Sequence, residues 1–216
     1  MKTRGAITFV FDDGYQVIHE VVVPLLDRLA LPGVFAIPLT TKTVAQTEDR
    51  PVTPWQQWQH IHARHEIAAH SIDHLNLTTC DSTQLAHQLQ EPQQTLHATT
   101  LVYPGGAFNQ TVQQAASSYY TAARTVQRGL STLPPRQPLQ LPTYNFTRHN
   151  FSVSRANYLA TVAWVTNRWL IETYHLIDNN EHEKLHAVKL DDFTRHLQFV
   201  KYLPVRVSTI RDIMSA

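Results

Sequence analysis

Short, unbroken apolar runs recur along the chain, separated by longer stretches whose apolar residues return every three to four positions. The clearest run, Ala6-Ile7-Thr8-Phe9-Val10-Phe11, ends in Asp12-Asp13-Gly14. A strand buried on both faces reads as continuous apolar sequence, so this run is expected to be an inner strand. The same reading gives strands at 33–37, 66–69, 101–103, 122–126, 169–176 and 205–207. Helical spacing predicts helices over 17–29, with Pro24 as a kink or late start, and from Pro54 through Trp55, Trp58 and Ile61. Further helices are predicted over 82–96, kinked or broken at Pro92, from Asn109 or Thr111 to 119, over 155–165, and from Asp191 or Asp192 to 202. Trp58 is expected in the core. Residues 40–54 read as a surface loop, and residues 129–142, with Pro134, Pro135, Pro138 and Pro142, as irregular. Strand alternating with helix this regularly implies a parallel sheet with helices outside it.

Composition narrows the function without naming it. A chain of 216 residues with 43% apolar content suits one α/β domain spanning 1–216. Net charge is +1 with only 16% charged residues. No basic stripe points to nucleic acid, and a polymeric substrate is expected to be neutral rather than strongly anionic. No apolar run is long enough for a membrane span, and no apolar leader opens the sequence, so a cytoplasmic location is the default, or the cell envelope if a leader was removed. The single cysteine, Cys80, excludes an internal disulfide. Nothing in the chain specifies an oligomeric state.

The chemistry begins at Asp12 and Asp13, which fall at the carboxyl end of the first strand. That edge is where ligands bind in α/β sheets and barrels. The pair also suits a turn and helix cap, but two adjacent carboxylates repel unless a cation or shared proton relieves them. Further ligands are offered by His70 and His74, just past the strand at 66–69. Residues four apart share a face of a helical turn, the spacing two imidazoles need to grip one ion. With 13 histidines in the chain, such a pair also arises by chance. Asp13, His70 and His74 would form a two-histidine, one-carboxylate site suited to Zn²⁺, with Co²⁺, Ni²⁺ or Fe²⁺ as alternatives.

These residues carry a resemblance. Phe11-Asp12-Asp13-Gly14, followed by Glu66-Ile67-Ala68-Ala69-His70-Ser71-Ile72-Asp73-His74, resembles the first two motifs of the polysaccharide deacetylase family, the NodB-homology carbohydrate esterases. Leu101-Val102-Tyr103-Pro104-Gly105-Gly106 loosely matches the third motif, and Trp169-Leu170-Ile171-Glu172-Thr173-Tyr174-His175 the fifth, in family order. The resemblance implies an irregular TIM-like (β/α) barrel of about seven parallel strands. It also implies a metal-dependent hydrolase that removes acetyl groups from N-acetylated sugars. Asp12 would then be the general base, His175 the protonated acid, and Tyr103, Pro104 and the Gly105 N–H the substrate and oxyanion contacts. Two features depart from the family pattern. The arginine that usually opens the third motif is Val102 here, and the usual aromatic after the proline is Gly105.

Arg124, on an otherwise apolar strand, is a candidate to replace the missing guanidinium. Asp178 and Trp164 are candidates for the unplaced fourth motif. Ser71 reads as a loop-stabilising hydrogen bonder rather than a nucleophile, and Leu170, Tyr174 and Leu176 as core or acetyl-pocket residues. His182-Glu183-Lys184-Leu185-His186 matches the short zinc-protease pattern, but no later glutamate offers a third ligand, and the segment reads as an exposed connection. Alternatives to the deacetylase reading are a hydrolase of small amides or imides on the same fold and a barrel that has lost catalysis.

Overall fold

The computed structural model describes residues 4–47, 49–180 and 184–216. Its strands are β1 (Ala6–Phe11), β2 (Val34–Ile37), β3 (Glu66–Ala69), β4 (Thr100–Val102), β5 (Ala122–Arg128), β6 (Leu141–Asn145), β7 (Trp169–Tyr174), β8 (Leu176–Ile177), β9 (Ala187–Val188) and β10 (Arg206–Val207). Its α-helices are α1 (Val23–Leu29), α2 (Lys42–Thr47), α3 (Trp55–Trp58), α4 (Ser82–Leu96), α5 (Gln110–Ala116), α6 (Val153–Thr166), α7 (Leu190–Tyr202) and α8 (Ile210–Met214). Strands β1 to β7 pair in sequence order, and β7 pairs back along all six residues of β1, so seven parallel strands close a barrel. Among the described residues no helix is long and apolar enough to cross a membrane.

Side-chain alternation assigns the two faces of the wall. Ala6, Val10, Val34, Ala36, Ala68, Val102, Ala122, Leu141, Trp169 and Ile171 pack together inside the barrel, and Ile210 and Ile213 of α8 plug its lower end. Small residues on four of these strands leave room for Trp169, whose indole donates to Thr8 Oγ1 at 2.9 Å. The opposite parity faces the helices: Phe9, Phe11, Leu170 and Tyr174 pack with Phe193 and Leu197 of α7 and Leu159 of α6. Leu176 lies in this same cluster, so these three residues of the fifth motif are core. Trp58 is fully buried against Phe35, as its spacing suggests.

The expected number of barrel strands holds, but one member differs. Residues 205–207 do not close the ring. Instead β10 lies beside the lower half of β1, while β2 takes its upper half at Val10 and Phe11. The missing wall strand is β6, which starts inside the segment expected to be irregular. Pro142 is tolerated because it falls near the strand's start, where a ladder donor is least needed. Pro92 does not break α4, which runs unbroken from Ser82 to Leu96. Pro24 does not delay the helix: a π-turn over Ile18–Val22 leads without a break into α1, and Pro24 is its second residue.

Candidate active site

Inward parity continues past the strand ends and builds a cluster at the barrel's carboxyl-terminal mouth. Asp12 extends the inward row of β1, His70 that of β3, Asn145 ends that of β6, and His175 follows that of β7. Together with Asp13, His74, Tyr103, Gly105, Gly106, Arg124, Val126 and His186 they line a cavity of about 260 Å³. Asp13, Ser71 and His74 all adopt positive φ, at 73°, 61° and 59°. Such backbone costs on the order of 1 kcal/mol or more per residue and concentrates where function fixes geometry. His70 and His74 are therefore joined by a tight turn rather than by a turn of helix, their ring centroids 4.7 Å apart.

Asp13, His70 and His74 converge, with one ligand atom from each lying within 4.8 Å of the others. Nε2 of His70 and of His74 stand 3.3 and 3.4 Å from Asp13 Oδ1. His70 Nδ1 donates to the Val102 carbonyl at 2.8 Å, because a carbonyl can only accept. In the neutral ring Nε2 is then a bare lone pair facing a carboxylate oxygen. Asp13 Oδ1 is buried without a hydrogen-bond partner among the described residues. A carboxylate oxygen, the His70 lone pair and the His74 Nε2 aimed at one point suit a cation between them, and the fixed His70 tautomer is the usual orientation of a metal-ligating histidine. The three residues fit a divalent metal with borderline nitrogen and oxygen donors.

Burial opposes ionisation of Asp13, but the His70 contact and the fields of His175, His70 and His74 hold its carboxyl well below the usual range. His74 is pulled down to about 4 by burial and by its neighbour His70, with Asp13 and Asp12 opposing. A base whose folded pKa lies below its unfolded value contributes no penalty above pH 6.5 and costs stability as pH falls from there towards 4. At about 1.4 kcal/mol per pH unit this is about 3 kcal/mol. Urea unfolding of chelator-treated protein is expected to show that loss between pH 6.5 and 4, and His74→Gln to flatten it.

Asp12 is paired with Arg124, which is fully buried and donates through a terminal guanidinium nitrogen to Asp12 Oδ2. The pairing register of β5 and β6 slips between Arg124 and Arg128, so Arg124 sits at the start of a bulge. His175 Nε2 lies 3.7 Å from Asp12 Oδ2 and 4.0 Å from Asp13 Oδ2. Burial lowers its pKa, with Asp13 and Asp12 opposing and His186 and Arg124 reinforcing the shift. This runs against a standing imidazolium at His175.

The structure departs from other expectations. Tyr103 gives the cavity no free donor, because its ring stacks on Phe108 and its hydroxyl donates to the Leu139 carbonyl. Ser71 Oγ is buried with no hydrogen-bond partner among the described residues, so its part in the loop is its backbone conformation. Asp178 lines a different cavity with Tyr15 and Glu20, and Trp164 packs against the helix-side core. Neither lines the cavity that holds His175. His182 and Glu183 lie outside the described residues, whereas His186 stands in the cavity. Asn145 had no signal in local sequence, and His186 only that of a protease-like pattern read as an exposed connection; both reach the cavity through strand pairing.

The molecule is a parallel (β/α) barrel with a carboxylate–imidazole cluster at its carboxyl-terminal mouth, the face where barrel enzymes place their sites. The chain belongs to the polysaccharide deacetylase family, whose model matches residues 2–123. Solved structures agree at the level of fold. A Mycobacterium smegmatis protein described as a polysaccharide deacetylase is 16% identical, with a TM-score of 0.64 over 100% of this chain and 90% of that one. A family 4 carbohydrate esterase from Streptomyces lividans, solved with acetate, is 15% identical, with a TM-score of 0.55 over 94% and 91%. A family 4 pseudoenzyme from Bacillus anthracis is 10% identical, with a TM-score of 0.58 over 99% of this chain and 66% of that one. No curated protein sequence matches the chain.

Proposed function

We propose that this protein is a metal-dependent hydrolase that removes acetyl groups from N-acetylated sugars, with zinc as the ion that best suits its donors. The observation that carries the reading is the convergence of Asp13, His70 and His74 on one point beside Asp12. A divalent ion held there would supply Lewis acidity to the acetyl carbonyl and to the attacking water. Asp12 takes a proton from that water as its oxygen bonds to the carbonyl carbon. Arg124 fixes the Asp12 carboxylate through Oδ2, while Oδ1 has no hydrogen-bond partner among the described residues. The Gly105 N–H is the proposed donor to the developing oxyanion. His175, 3.7 Å from Asp12, relays a proton to the nitrogen as the C–N bond breaks. Acetate and a free amine leave.

A second reading, hydrolysis of a small amide or imide, is favoured by the modest cavity of about 260 Å³. Gly105 puts no side chain on the cavity wall where the family pattern has an aromatic, and the space beside it is open. Acetate release from chitooligosaccharides, measured beside release from small acetamides and with zinc content determined on the same protein, separates the readings. Turnover of neither class by zinc-loaded protein would leave a barrel that has lost catalysis.

Arg124 is the positioning residue this reading adds. Arg124→Ala leaves a buried carboxylate without its charged partner, a loss of about 2–3 kcal/mol and thus roughly a hundredfold in turnover. Unchanged turnover and an unchanged pH–rate profile would remove Arg124 from the mechanism.

A further inference from the structure

We infer that His186 is a positioning residue for His175, and this rests on the proposed role of His175 in proton transfer. A catalytic imidazole is normally oriented by a hydrogen bond on its second nitrogen. His175 has none: Nδ1 is buried and has no hydrogen-bond partner among the described residues. Its Nε2 makes only the long approaches of 3.7 and 4.0 Å to Asp12 and Asp13. A ring held by neither nitrogen keeps its angle through packing.

The ring that packs on its face is His186. Beyond the barrel wall the chain forms a two-stranded parallel ribbon in which Leu176 pairs with Ala187 and Ile177 with Val188. The Leu176 N–H donates to the His186 carbonyl at 3.3 Å. This register sets the preceding residues, His175 and His186, side by side. Their rings lie nearly parallel, 29° between planes and 4.9 Å between centroids. The ribbon's other residues, Leu176, Ile177, Ala187 and Val188, are buried in the main core, so the His186 backbone is anchored and its ring forms a fixed wall. His186 thus acts on the reaction through the face of His175, with ring shape as the property that matters.

The claim separates His186→Phe from His186→Ala. On acetate release from an N-acetylated chitooligosaccharide and from a small acetamide, the alanine variant is expected to lose roughly tenfold in kcat with KM within about twofold, a loss worth about 1.4 kcal/mol. The phenylalanine variant, which keeps the flat ring without nitrogens, is expected to recover most of it. In a His175→Ala background, His186→Ala is expected to cost nothing further, because residues acting as one unit are not additive. A phenylalanine variant as impaired as alanine, or a full additional loss in the His175→Ala background, overturns the inference. So does a crystal structure of the alanine variant in which His175 keeps its rotamer, a readout that needs no turnover. If His175→Ala is itself fully active, the proton-transfer reading fails first and the two failures remain distinct.

Discussion

Asp13→Ala is expected to abolish both tight zinc binding and acetate release, with turnover down roughly a thousandfold or more. The magnitude follows from what the carboxylate does. It is the one anionic member of the trio proposed to hold the ion and the group on which both Nε2 atoms converge, at 3.3 and 3.4 Å. Lewis-acid assistance is worth several kcal/mol of transition-state stabilisation, and each 1.36 kcal/mol is tenfold in rate. Removing Asp13 leaves two imidazoles, which hold a divalent ion far less firmly. Titration calorimetry with zinc reads the binding loss independently of catalysis. Asp12→Asn is the necessary partner experiment: it is expected to lower turnover severely while leaving zinc stoichiometry at one, because Asp12 turns its oxygen to Arg124. If Asp13→Ala bound zinc as tightly as the parent, the assignment of the two aspartates would be wrong. Equal loss of zinc from both variants would make Asp12 a ligand too.

The B. anthracis pseudoenzyme shows why the fold alone cannot carry this conclusion, since the barrel persists there under a name that denies catalysis. What argues for activity in the present chain is local: Asp12, Asp13, His70, His74 and His175 are all present and share one cavity.

Much of this was legible in the sequence because it is local. Asp12 and Asp13 end an apolar run, and His70 and His74 follow another, so strand ends alone brought them to one rim. Arg124 was legible by contrast, as a charge on an inner strand, although the partner it meets lies 112 residues away. The reason for the His70–His74 spacing was misread. Helical periodicity gave the right pair, but a tight turn with two positive-φ residues joins them. β6 was hidden by its proline, because propensity weighs Pro142 against a strand while the sheet tolerates it near the start. His186 is marked in the sequence only by a protease-like pattern, which assigns it to an exposed connection rather than to the cavity. Nothing near it in sequence refers to His175, and the two meet only through the register of the ribbon formed by β8 and β9.

The largest effect on stability is expected not from the metal cluster but from the outer face of β7. Glu172 and His196 are both completely buried. His196 Nε2 lies 2.9 Å from Glu172 Oε2 and 3.2 Å from Oε1, while its Nδ1 meets Asn157 Oδ1 at 2.7 Å. The Tyr174 hydroxyl donates to Glu172 Oε2 at 2.8 Å. The network ties β7 to α6 and α7 in the middle of an apolar cluster, so no water can replace a missing partner. Removing one member of a buried pair costs about 3–5 kcal/mol, most of it from the polar group left behind. At about 2–4 °C per kcal/mol for a chain of this size, Glu172→Ala or His196→Ala is expected to lower Tm by about 10 °C. Replacing both by leucine removes the orphan as well as the bond, and is expected to cost much less than the two single changes added together. The effect should also reach the site. The Asp12 N–H donates to the Tyr174 carbonyl at 2.9 Å, and His175 is the next residue, so loosening this end of β7 moves the proposed base and acid together. A Glu172→Ala variant that melts with the parent would show that the pair contributes nothing beyond its packing. One that melts early yet keeps full turnover at low temperature would uncouple the network from the site.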